Sequence, residues 1–278
     1  MKTILFPTDF SDNAKHAAQY AGMLARLFNA KIVLLNVYSI PTISEYQLPS
    51  EIEDFIVRNR KEAEQNLQHF TVHFIEKTGL ASERITQRVE YGLATDKIVS
   101  IANQIKADLI VMGTQGASNI FERWLGTHTQ EVMKKANCPV WVVPAGSPIN
   151  YPLNLLYAAD FQGDEIAAID KLLAITKPLG IKCKVVHVHD YFEPNIGHAI
   201  QEMTSLLEDK FEKEDLAVKC INRAEIIEGL ETYIKNHQPD VIVLATHDKS
   251  LLDKFFNDSV TKHFVQEGKL PLLIFKKQ

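Results

Sequence analysis

The chain has 278 residues, 46% of them hydrophobic and 23% charged, with a formal net charge of −5. That length is large for one core and comfortable for two domains of about 130–140 residues each. The acidic balance and the lack of a basic stripe interleaved with aromatics argue against a nucleic-acid surface.

Residues 3–7 (Thr-Ile-Leu-Phe-Pro) read as a short buried strand ending in Thr8-Asp9-Phe10-Ser11, with Ser11 placed as an N-cap. Ala14, Ala17, Ala18, Ala21, Leu24, Ala25 and Phe28 then recur at helical spacing. A strand over 31–37 is apolar on both faces, and the polar stretch 39–50, with Pro41 and Pro49, reads as a loop. A long amphipathic helix carries Ile52, Phe55, Ile56, Ala63, Leu67, Phe70 and Phe74. A third strand is predicted over 85–91, a helix through Ile98, Ile101, Ala102 and Ile105, a buried strand over 107–112, a helix over 127–135 and a last strand over 139–144. Strand and helix alternate throughout, which implies a parallel sheet covered on both faces. In such open sheets a ligand sits beyond the C-terminal strand ends where strand order reverses, so Asp9 and Gly113 should flank a crevice.

The stretch 145–150 is turn-rich and unpatterned, a linker, and after it the pattern restarts. Residues 154–161 repeat 4–10, so Asp160 answers Asp9 at an offset of 151, whereas Ala245 answers Gly113 and Pro271 answers Pro139 at 132. The difference of 19 places extra residues in the first copy, in its second helix and the preceding loop. The predicted domains are therefore 1–146 and 151–278.

One segment carries chemistry: Gly113-Thr114-Gln115-Gly116, nine residues, then Gly126-Thr127. Strand, glycine loop and helix N-terminus together hold phosphate, because glycine lets the backbone approach an anion and the first helical N–H groups point at it. The spacing is neither a P-loop nor G-x-G-x-x-G. It is G-x2-G-x9-G-[ST], and in this the chain resembles the universal stress protein family, in its ATP-binding subgroup; the resemblance covers nearly the whole chain. It implies two tandem α/β domains, each an open five-stranded parallel sheet with helices on both faces, similar to adenine nucleotide alpha hydrolases. The two are expected to pair as an intramolecular pseudo-dimer, with further homodimerisation left open. By resemblance the ligand is ATP, or ADP or AMP, with Mg2+ as an optional companion. Pro7, Thr8 and Asp9 are expected at adenine and ribose, Val37 at adenine, Met112 and Gly113 at ribose, and Gly116, Gly126 and Thr127 at the phosphates. His128 and Thr129 begin the helix and should also face anion. His128 replaces a small apolar residue common in the family, so its imidazole either adds a phosphate contact or crowds one. Each of these residues also has a plain structural role open to it: Asp9 can help start a helix, Val37 and Met112 suit a core, and Arg123 and Lys134 suit a solvated surface.

At the second copy's offset the motif reads Ala245, Asp248, Asp258 and Ser259. Two carboxylates about 4 Å from phosphate charge at an effective dielectric near 20 repel by about 4 kcal/mol each, so this copy should not hold ATP in the same manner. It is instead rich in histidine: His187, His189, His198, His237, His247 and His263. With Asp160, Asp190 and Asp248 these could form a metal site, or simply the wet end of a sheet. No Ser-His-Asp arrangement, nucleophile elbow or S-G-G-x-D-S run is evident, so the expected function is nucleotide binding in the N-terminal copy of a stress-response or regulatory module without enzymatic activity. A slow ATPase or autophosphorylating protein and a nucleotide-free scaffold are the competing readings. Cys138, Cys183 and Cys220 have no C-x-x-C spacing, no apolar run is long enough to span a membrane, and a strand starting at Lys2 leaves no room for a signal peptide, so a cytoplasmic protein with buried thiols is expected.

Overall fold

The computed structural model describes residues 1–39, 49–114, 126–159, 161, 164–189, 196–211, 216–222, 226–246 and 270–277. They fall into two compact units, Met1–Ile149 and Asn150–Gln278.

In the first unit β1 (Thr3–Pro7), α1 (Asp12–Leu27), β2 (Lys31–Tyr38), α2 (Pro49–Thr78), β3 (Ile85–Tyr91), α3 (Ala94–Gln104), β4 (Leu109–Gly113), α4 (Thr127–Lys135) and β5 (Val140–Val143) alternate. The strands are parallel in the order β3-β2-β1-β4-β5. Strand order reverses between β1 and β4, and right-handed crossovers put α1 with α2 on one face and α3 with α4 on the other. Ile4, Leu5, Phe6, Leu109, Ile110 and Val111 are fully buried, as a strand covered on both faces requires. The side chain of Ser11 caps α1 by accepting from the N–H of Ala14 at 3.2 Å.

The long helix α2 departs from expectation at its start. Pro49 and Ser50 belong to the helix rather than to the preceding loop, in keeping with the tolerance of proline in a first turn, and 40–48 lie outside the described residues. Ala63, Leu67, Phe70 and Phe74 are buried, but Ile56 is 38% exposed and not part of the core. A helix of 30 residues is about 45 Å long, whereas a strand of eight spans about 26 Å, so the N-terminal turns outrun the sheet.

The second unit repeats the plan with β6 (Asn154–Ala159), α5 (Glu165–Thr176), β7 (Lys182–His189), α6 (Ile196–Lys210), β8 (Leu216–Asn222), α7 (Ile226–His237), β9 (Val241–Thr246) and β10 (Leu272–Lys276). Its strands are parallel in the order β8-β7-β6-β9-β10. Small devices repeat as well. Asp108 accepts from the N–H groups of Lys2 and Thr3 at 2.7 and 2.8 Å, and Asp240 does the same for Leu153 and Asn154 at 2.9 and 2.8 Å. Left-handed backbone recurs at Phe10 and Phe161, at Asn29 and Gly180, and at Lys106 and Gln238. The first two pairs are 151 residues apart and the third 132, and the missing residues lie where α2 has 30 residues and α6 has 15.

Candidate functional site

Where strand order reverses in the first unit, the C-terminal ends of β1, β2 and β4 and the starts of α3 and α4 enclose a cavity of about 400 Å³. That size suits a small ligand. β1 supplies Pro7 and, just past its end, Thr8 and Asp9; β2 supplies Val37; β4 supplies Met112 and Gly113; α4 and its N-cap supply Gly126, Thr127, His128 and Thr129. The sequence-derived site residues, separated by up to 122 positions, thus line one space, except Gly116, which lies outside the described residues.

Hydrogen bonds hold the frame. The buried Asn36 amide donates to the Thr8 carbonyl at 2.8 Å, and the Thr8 N–H donates to the Leu35 carbonyl at 2.8 Å, pinning the end of β1 to β2. The Asp9 carboxylate accepts from the N–H and hydroxyl of Ser11 at 3.1 and 2.7 Å, so it does support the cap of α1. The Thr129 hydroxyl donates to the Gly113 carbonyl at 3.0 Å and the Gly126 N–H donates to the Thr114 carbonyl, fastening the start of α4 to the end of β4.

The end of the cavity at α4 is built from backbone. The N-cap of α4 is Gly126, with no side chain to cap, and the first helical bond runs from Gln130 N–H to the Gly126 carbonyl at 3.1 Å. The N–H groups of Thr127, His128 and Thr129 therefore have no intrahelical acceptor and carry the positive end of the helix dipole. Among the described residues lining the cavity there is no Lys or Arg; Asp9 and His128 are the titratable side chains. Lys134 lies 3.9 Å from Glu131 and does not line the cavity, and Arg123 lies outside the described residues. Pattern reading missed Ala14, Leu35, Ser39, Gly92, Leu93, Ala94 and Ile98, which also line it. Gly92 carried a legible signal, a glycine at the end of a strand before a helix; its φ is 140°, a conformation side chains rarely adopt.

The equivalent region of the second unit is built differently. Glu165 stands at the position of the cavity-lining Ala14, its side chain fully buried. Its carboxylate accepts from the Tyr157 hydroxyl, from the Phe161 N–H at 2.8 Å and from the Lys277 ammonium at 2.9 Å. Their counterparts in the first unit, Phe6 and Ala145, carry no polar side chain. His187 is buried, with Nδ1 2.9 Å from the Ala159 carbonyl and its ring stacked on Phe161 at 4.2 Å. Among the described residues no three His, Cys, Asp or Glu side chains group as a metal site; Asp160, Asp190, His247, Asp248, Asp258, Ser259 and His263 lie outside them.

The model of the Universal stress protein family matches residues 1–144 and again 153–276. The chain belongs to the universal stress protein family. Curated relatives match about half of it. Universal stress protein MJ0531 of Methanocaldococcus jannaschii is 32% identical over 148 residues, which cover 51% of this chain and 81% of that protein. Universal stress protein MJ0577 of the same organism is 29% identical over 155 residues, covering 51% and 94%. The crystal structure of a universal stress protein from Archaeoglobus fulgidus DSM 4304 matches 99% of this chain and 98% of its own with a TM-score of 0.73 at 17% identity, a likeness of fold. This universal stress protein thus carries two tandem copies of the family domain. No helix among the described residues is long and apolar enough to cross a membrane.

Proposed function

We propose that the N-terminal unit of this universal stress protein binds an adenine nucleotide, ATP in the first place, as a regulatory ligand. The observation that carries the reading is the convergence of Gly113, Gly126 and Thr127 with the ends of β1 and β2 around one cavity, which the start of α4, with its three N–H groups that lack an intrahelical acceptor, also lines. Binding rather than turnover is favoured because the titratable side chains among the described lining residues, Asp9 and His128, are both hydrogen-bonded to structural hydroxyls, of Ser11 and Thr95. Mg2+ can accompany the phosphates. The C-terminal unit is proposed not to bind in this manner, which is supported by the buried Glu165 where the first unit has Ala14.

The test uses Gly126. Its φ of −58° and ψ of 143° suit any residue, and aspartate is a good N-cap, so Gly126→Asp should keep α4 folded while placing a carboxylate at the anion site. Titration of the full chain with ATP and Mg2+ should show affinity reduced by more than about 100-fold in this variant. Unchanged affinity would overturn the reading.

A further inference from the structure

The imidazole of His128 is placed to be more than a bystander of the helix it sits on. It lines the cavity at the second residue of α4, and its Nδ1 lies 3.2 Å from the hydroxyl of Thr95 at the second residue of α3. Thr95 is buried whereas His128 is exposed. The contact holds Nδ1 of the ring at the start of α3. With Nδ1 engaged, Nε2 has no protein partner among the described residues. A hydroxyl can donate to Nδ1, and with Nδ1 accepting, the ring carries its proton on Nε2, where it can donate outward. Since no Lys or Arg lines the described part of the cavity, His128 is its one nitrogen-bearing side-chain donor.

Position along the cavity decides what that donor meets. Met112, near the end of β4, is buried and Val37, near the end of β2, is half-buried, whereas His128, at the start of α4, is exposed. A nucleotide with its base toward Met112 and Val37 runs its phosphates outward along the start of α4. We propose that Nε2 of His128, positioned by Thr95, donates to the outer phosphates of the bound nucleotide and makes the site select ATP over AMP. This rests on the nucleotide reading above and deepens it.

Calorimetric titration of the full-length chain with ATP, in Mg2+, and separately with AMP tests it. His128→Ala should weaken ATP about tenfold while AMP shifts by less than about twofold, the loss of one charge-assisted hydrogen bond at the outer phosphates only. His128→Gln, whose amide nitrogen reaches a similar point, should recover most of the ATP affinity. Thr95→Val, which keeps the shape and removes the hydroxyl, should weaken ATP about threefold by freeing the ring. His128 is exposed, and matching melting curves confirm that the variants stay folded. An equal loss for ATP and AMP, or none for ATP, overturns the assignment of His128 while leaving the nucleotide site standing. Failure of the unaltered chain to bind either nucleotide overturns the nucleotide reading itself.

Discussion

Gly22 shows how much a single position can hide from pattern reading. It sits mid-helix in α1, where a glycine costs about 1 kcal/mol relative to alanine, and nothing around it in sequence explains its presence. The explanation is 56 residues away: a Cβ at Gly22 would stand 2.3 Å from Cγ2 and 2.6 Å from Cβ of Thr78 at the end of α2. Gly22→Ala should therefore lower stability by about 1–3 kcal/mol in urea unfolding despite the better propensity, and a raised midpoint would contradict the packing. The Glu165–Lys277 pair was equally illegible, because it joins residues 112 apart whose spacing matches no motif. Removing one partner of a buried pair strands the other, so Lys277→Met alone should cost about 3 kcal/mol, and Glu165→Leu added to it should recover part of the loss; strictly additive losses would show that the two are not coupled. Burial also governs the thiols. It pushes Cys183 up to about 12 and Cys138 up to about 11, so at pH 8 only about one Cys138 in a thousand is thiolate. Alkylation followed by mass spectrometry should label both slowly in the native protein and quickly in urea; equal rates would contradict the burial.

At the scale of elements, α1 and α4 show two ways of meeting the same requirement. Each helix begins with N–H groups that lack intrahelical acceptors. In α1 the protein answers with Ser11, and Ser11→Ala should cost about 1 kcal/mol of stability with little effect on ATP binding beyond that. In α4 a glycine stands at the cap and offers no side chain to those groups, which the proposed nucleotide would meet. The contrast was legible in the sequence because caps and glycine loops are local chemistry. So were the bounds of β1, β3 and α4, where a turn or glycine interrupts the apolar period. The start of α2 was not, since proline and polar residues suit a loop and a helical first turn alike, and apolar spacing alone did not show that Ile56 is left partly exposed. The contact between Thr95 and His128 was out of reach for another reason: it exists only because two crossovers bring the starts of α3 and α4 together.

For the molecule as a whole, the duplication was readable because strand patterns survive substitution, and the structure adds what patterns cannot carry: repeated left-handed turns and repeated aspartates tying β4 to β1 and β9 to β6. The copies have diverged at the one place where ligand chemistry would act. Where the first unit keeps small and apolar residues around an open cavity, the second has a tyrosine, a glutamate and a lysine bonded to one another. The proposal of one nucleotide site in a duplicated domain rests on that asymmetry, and stoichiometry is its most direct measure. Equilibrium titration of the full-length chain with ATP and Mg2+ should saturate at one nucleotide per chain. Two per chain, or none, would contradict the account.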